Sequence, residues 1–244
     1  MVEGQTKSRG LEVGEGRTYL RVPHKDGILS FATPAFSNGG YVSIGMRILD
    51  AKLELPTIEQ TASLVHAAWQ DPDETYQADI ISKLMTNYWF WGFNELLYVP
   101  GKGVYIRDRP EVKKGRAVMN KSELVKKLEA GDPSVRFVPF GYKMGVQSYG
   151  ELAKNPFIQA LAGEEGAEKL AEVAGKYKNK PYVSSYKLEE VNRLTSRVAT
   201  LGSDSIGVGF YLGSCYRDIR GGYAFGVSRE KSVADTVQKG EDVA

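Results

Sequence analysis

The sequence predicts an α+β fold: an antiparallel sheet or sheets, a packed αα-hairpin and further short helices. Three observations predict it. Runs of β-forming residues bounded by glycine, proline and asparagine lie at both ends of the chain, apolar residues at helical spacing fill its middle, and no repeat or low-complexity linker divides it. With 244 residues, 42% of them apolar and 25% charged, the chain suits one large domain or two small ones. The pattern favours a single domain over residues 17–228, with polar tails at 1–16 and 229–244.

The elements follow in order. RTYLRV (17–22) and GILSFAT (27–33) read as strands around a Pro23–Gly27 turn, and Ser37–Gly40 is a second turn signal before the apolar run YVSIGMRIL. Thr57 and Gln60 have the spacing of a capping box, and Ile58, Ala62, Val65 and Trp69 follow as one apolar stripe. Asp71-Pro72-Asp73-Glu74 ends that helix and starts the next, with Asp71 as N-cap. Ile80/Leu84/Tyr88 and Ile81/Met85/Trp89 form two rows at i, i+4, so the second helix is expected to run to Trp91 with Gly92 just past its end. In the aromatic stretch NYWFWGFNELLYVP, that placement leaves Phe90 on the polar side and Tyr98 on the following hairpin as the rings open to another role.

Leu96–Val99 and Val104–Arg107 flank Pro100-Gly101-Lys102-Gly103, a hairpin signal. Asn120 and Glu123 cap a short helix stopped by Gly131-Asp132-Pro133, and VRFVPFGYKM (135–144) is a strand ended at Pro139. Ser148 with Glu151 caps a helix through about residue 161. EEGAEKLAEVAGKY forms another, with acids first and lysines last, as the helix dipole prefers. RVATLG, SIGVGFYLG and YAFGV are strands of the glycine-rich last third.

Several chemistries are excluded. The single cysteine, Cys215, rules out an internal disulfide or a thiolate zinc site, and two histidines, His24 and His66, nearly exclude a histidine metal cluster. DPDETYQ opens like a calcium loop, but Tyr76 stands where that loop needs glycine and Ser82 where it needs glutamate. Gly207, Gly209 and Gly213 spell GxGxxxG, not the dinucleotide fingerprint, and no Walker A sequence occurs. No metal and no cofactor is therefore expected. His66 reads as a packing residue on the helix flank, His24 as a solvent-facing turn residue, and Cys215 as a quiet, partly buried thiol despite Arg217 and Arg220 nearby. No run approaches the roughly 18–20 apolar residues of a membrane span, and the amino terminus is no secretory signal, so a reduced cytoplasmic protein is expected.

Charge is segregated along the chain. Residues 53–82 carry six acids and no Lys or Arg; residues 102–127 carry nine basic residues against Asp108, Glu111 and Glu123. The two segments either pack together and neutralise each other or leave a basic face for an anionic partner. On the second reading Lys102, Arg107, Arg109, Lys113, Lys114 and Arg116 contact phosphates while Tyr98, Tyr105 and Phe90 supply stacking rings, so nucleic acid is the first partner considered. A rival reading is a metal-dependent hydrolase or nuclease in which Glu111 binds metal and Lys113 polarises water, from the E-x-K spacing of Glu111-Val112-Lys113. A third is a structural subunit of an assembly.

DPSVRFVPFGYK, NPFIQALAGEEGAEKLAEVAGKYKNKPY, PTIEQTASLVHAAW and WGFNELLYVPGKGVYIRD resemble an uncharacterised archaeal hypothetical-protein family, over about residues 25–185. The resemblance implies an archaeal, intracellular protein and carries no catalytic or binding residue.

Overall fold

A computed structural model describes residues 11–14, 17–25, 27–86, 89–113, 116–117, 119–203, 209–217 and 221–229. The first part of the chain forms β1 (Leu11–Gly14), β2 (Arg17–His24), β3 (Gly27–Thr33), β4 (Phe36–Gly39), α1 (Tyr41–Asp50), α2 (Ile58–Gln70) and α3 (Thr75–Met85). The middle forms β5 (Trp89–Val99), β6 (Gly103–Asp108), β7 (Val112–Lys113), β8 (Arg116–Ala117), α4 (Lys121–Glu129), β9 (Val135–Pro139), β10 (Gly145–Val146), α5 (Tyr149–Ala153) and α6 (Pro156–Ala174). The last part forms β11 (Asn179–Ser184), β12 (Thr195–Ser203), β13 (Gly209–Cys215), β14 (Gly222–Ala224) and β15 (Val227–Arg229).

The mixed α+β class agrees with the sequence, and the departures have physical causes. Leu11–Gly14, expected in a tail, pairs antiparallel with β2, Leu11 opposite Leu20. The apolar run after Gly40 is a helix, because Tyr41, Ile44 and Ile48 recur at helical spacing and are buried while Met46 and Leu49 face out. The Thr57/Gln60 capping box forms as expected. Asp71 does not start α3; the helix begins at Thr75, with Glu74 in the N-cap position and no side-chain cap.

The largest correction concerns the aromatic stretch. The helix stops at Met85, and Trp89 to Val99 is an 11-residue strand. Its partner β12 lies about a hundred residues later, so local spacing gave no sign of it, and the tertiary pairing overrides the helical pattern. Gly92 is mid-strand rather than at a helix end. A Cβ there would lie 2.3 Å from Ile58 Cγ1 and 2.9 Å from the Ile58 backbone nitrogen, so only glycine lets β5 approach the start of α2 this closely.

Two main sheets result. β1, β2, β3 and β15 form one. The other runs β10-β11-β13-β12-β5-β14-β4, with β6 paired to β5 and β9 to β6. One edge of β5 is thus shared in succession: Trp89 and Phe90 pair with β14, and Asn94–Val99 pair with β6. Alternation divides the faces of β5. Phe90, Leu96 and Tyr98 enter the main core with α2 and α6 residues such as Ile58, Val65, Phe157 and Leu170. Trp91 and Phe93 pack with Tyr41, Ile44 and Ile48 of α1, and Leu97 and Val99 with Leu124 of α4.

The two helices expected between Ser148 and Tyr177 appear as α5 and a kinked α6. The Ser148/Glu151 box caps α5, Asn155 Oδ1 caps α6 through the Phe157 N–H at 3.0 Å, and Gly163 at φ 72° bends it. Among the described residues no helix is long and apolar enough to cross a membrane.

Candidate ligand-binding site

Two residues of the sequence-predicted basic segment, Arg107 and Arg109, are occupied by internal contacts. Arg107 pairs with Glu123 at 3.3 Å. Arg109 donates to the Leu55 carbonyl at 2.6 Å and to Gln60 Oε1 at 2.8 Å, and pairs with Glu54 at 3.0 Å. Here the acidic and basic segments do meet, through Glu54 and Arg109. Asp108, the nearest carboxylate to the E-x-K spacing, is held by Arg136 and accepts from Asn94 Nδ2 at 2.5 Å. Phe90, Tyr98 and Tyr105 are buried, contrary to the expectation of open rings: strand alternation turns the first two into the main core and Tyr105 against Phe137 under α4. Lys102 and Glu111 are exposed. The side chains of Lys113 and Arg116, and Lys114 altogether, lie outside the described residues.

The other singled-out groups have structural partners. His24 is half-buried rather than solvent-facing. Its Nδ1 lies 3.0 Å from Ser63 Oγ, and burial lowers its pKa. This is no nucleophile–base pair, since Ser63 is 2% exposed inside α2, where helical bonding occupies the backbone N–H groups an oxyanion would need. His66 pairs with Glu172 at 2.7 Å. Cys215 is buried, and Arg217 turns to Glu95 at 2.6 Å instead. Among the described residues no group of three His, Cys, Asp or Glu side chains comes together.

The polar and aromatic groups that do converge lie at one end of the large sheet, on the face that carries the main core. β11 ends at Ser184, and Ser185 and Tyr186 follow it beside the start of β12, the end of β13 and the chain after β9. Tyr142 Oη lies 2.7 Å from Ser185 Oγ, Ser185 Oγ 2.8 Å from Tyr98 Oη, and Tyr98 donates to Ser214 Oγ at 3.1 Å. Each hydroxyl has one proton, so the direction follows: Tyr142 donates to Ser185, Ser185 to Tyr98, and Tyr98 to Ser214. Burial raises the pKa of Tyr98 and pushes that of Tyr142 up to about 12, so both phenols stay protonated and act as donors. Tyr142 also stacks on buried Phe157 at 4.9 Å, and Tyr186 meets Tyr98 edge-on at 5.1 Å.

Two features open this cluster to solvent. A pocket of about 400 Å³ is walled by Phe140, Tyr142, Met144, Tyr186 and Leu188, with Lys187 and Glu189 beside them. Next to it, the Arg197 guanidinium lies 4.9 Å from the Tyr186 ring centroid and 3.8 Å from that of Tyr216. Arg197 donates to Tyr186 Oη and, at 2.8 Å, to the Ser196 carbonyl. No carboxylate pairs with it among the described residues. A half-buried guanidinium normally finds a counter-charge; this one is held in place by two electron-rich rings, with further N–H groups to spare.

Of the residues singled out in the sequence, only Tyr98 belongs to this cluster, as an interior link. The segment that builds it, PYVSSY at 181–186, enters β11, a strand outside the sequence expectations. Its alternating Tyr182, Ser184 and Tyr186 was the available signal.

No protein-family model matches the chain, and no curated protein does. Among solved structures it is similar to a protein described by the words "Accommodation of massive sequence variation in Nanoarchaeota by the C-type lectin fold". The two are 16% identical, the match covers 80% of this chain and 95% of that one, and the TM-score is 0.51. The chain therefore has a C-type lectin-like fold.

Proposed function

We propose that the protein is a non-enzymatic recognition protein that binds an anionic partner, with Arg197 facing the anion and the adjoining aromatic pocket taking an apolar part of the same ligand. One observation carries this reading: Arg197 is fixed between Tyr186 and Tyr216, and no carboxylate pairs with it among the described residues. Stacking pre-orients the guanidinium, so little freedom is lost when it accepts a carboxylate or phosphate in a forked pair. Tyrosine and arginine are also enriched at the energetic centres of recognition surfaces, tyrosine because it brings large rigid contact area at low entropy cost. Likeness to a protein whose C-type lectin fold is described as accommodating massive sequence variation agrees with a binding role. The anionic partner matches the one the charge pattern suggests, with the contact at the sheet end.

Phenyl phosphate, benzoate and phenol, titrated by tyrosine fluorescence and heat release, test the reading. Both acids are expected to bind more tightly than phenol, with Phe140→Ala weakening all three. Equal binding of phenol and the two acids would remove Arg197 from the site.

A further inference from the structure

The opposite face of the large sheet carries a second aromatic group. Val183, Leu212, Leu201 and Phe90 point into the main core from β11, β13, β12 and β5. Their neighbours Tyr182, Tyr211, Gly202 and Trp89 therefore point the other way, and the register places them side by side: Tyr182 opposite Tyr211, Tyr211 opposite Gly202, Gly202 opposite Trp89. Because β12 contributes glycine to this row, nothing separates the rings on either side of it. Trp89 meets Tyr211 edge-on at 5.0 Å, and Tyr182 stacks on Tyr211 at 5.9 Å and 12°. Tyr182 is 46% exposed although one ring face is covered by Tyr211, and Val146, its cross-strand partner on the other side, is 59% exposed. The row spans three strand spacings, about 14 Å.

The chain leading into Tyr182 carries unbalanced charge. Residues 173–186 contain Lys176, Lys178 and Lys180 and no acid. All three lysines are exposed, and their ammonium groups have no partner among the described residues. Pro181 and Val183 are buried while Lys180 and Tyr182 are exposed, so lysine and ring face solvent together.

We propose that this face binds single-stranded nucleic acid, with a base stacked against the exposed Tyr182 ring and phosphates on Lys176, Lys178 and Lys180. The charge selects the occupant. A neutral glycan or a proline-rich peptide would use the rings and leave three ammonium groups unanswered, whereas single-stranded nucleic acid supplies π-faces and phosphates along one strand. Duplex lacks free base faces for Tyr182 and binds more weakly. The site lies on the opposite face from Arg197 and stands or falls separately from it.

The test is fluorescence anisotropy with a fluorescein-labelled oligothymidylate of about twelve nucleotides. Binding is expected at low salt, with log K falling against log[salt] at a slope near −2 for three phosphates. Tyr182→Ala is expected to weaken binding about ten-fold or more, Tyr182→Phe to preserve it, and Lys178→Ala with Lys180→Ala to flatten the slope by about 1.4. Arg197→Met should leave this binding unchanged. No binding at low salt, an unchanged affinity in Tyr182→Ala, or equal affinity for inorganic polyphosphate would overturn the proposal.

Discussion

Arg109 Nη2 donates to Gln60 Oε1 at 2.8 Å, and that same oxygen accepts the Thr57 N–H at 3.1 Å in the capping box of α2. The arginine from the basic hairpin thus clamps a helix start that Asn94 also caps, through the Ile58 N–H at 2.8 Å. Arg109→Ala is expected to cost about 2–4 kcal/mol, because it strips partners from a buried glutamine and from the Leu55 carbonyl together. Urea unfolding measures it. A loss under about 0.5 kcal/mol, typical of a free surface residue, would show that the clamp carries no stability.

Gly92→Ala is expected to destabilise by about 1–3 kcal/mol or more. The new methyl group would meet not only the Ile58 side chain but its backbone nitrogen, which cannot step aside without moving the helix start. Denaturant midpoints compare it with Gly150→Ala, whose Cβ would meet nothing within 4 Å. Equal effects at the two glycines would contradict the close approach.

Glu95 is fully buried. Its desolvation outweighs the hydrogen bond and charge of Arg217, and its pKa rises from 4.5 to about 7. Between those values the folded protein binds more protons than the unfolded chain, so this group's stabilising effect is full at the acid end and is lost as pH rises towards 7. The change amounts to at most about 3 kcal/mol. Followed from pH 4.5 to 7, the parent should lose stability relative to Glu95→Gln, whose neutral side chain does not titrate. A parent whose stability, relative to the variant, stays level or rises over this window would refute it.

Tyr98→Phe removes the middle of the chain from Tyr142 to Ser214 and leaves two serine hydroxyls to re-pair. A loss of about 1–2 kcal/mol is expected, or a fall of roughly 2–8 °C in Tm for a chain of this size. An unchanged melting temperature would mean that the chain adds nothing to rigidity.

What was legible locally was what local chemistry decides. The Thr57/Gln60 and Ser148/Glu151 boxes, the Asn120 cap and the Pro100–Gly103 turn all form where their residues require. What escaped depends on distant partners. Trp89 to Trp91 carry helical spacing, yet pair with Gly202, Leu201 and Thr200. Arg109 looks like a free surface charge until Leu55, Gln60 and Glu54 surround it. The candidate site draws on Tyr142, Tyr186, Arg197 and Tyr216, four separate segments that no local motif links, and on β11, a strand whose parallel partner β13 follows after β12 has intervened.

The most direct measurement is calorimetric titration of phenyl phosphate into the parent protein, Arg197→Met and Arg197→Lys. Loss of a charge-assisted pair predicts at least ten-fold weaker binding in Arg197→Met. An intermediate loss is predicted for Arg197→Lys, which keeps the charge but neither stacks between Tyr186 and Tyr216 nor presents a fork. Equal affinities in all three proteins would contradict an anion site at Arg197.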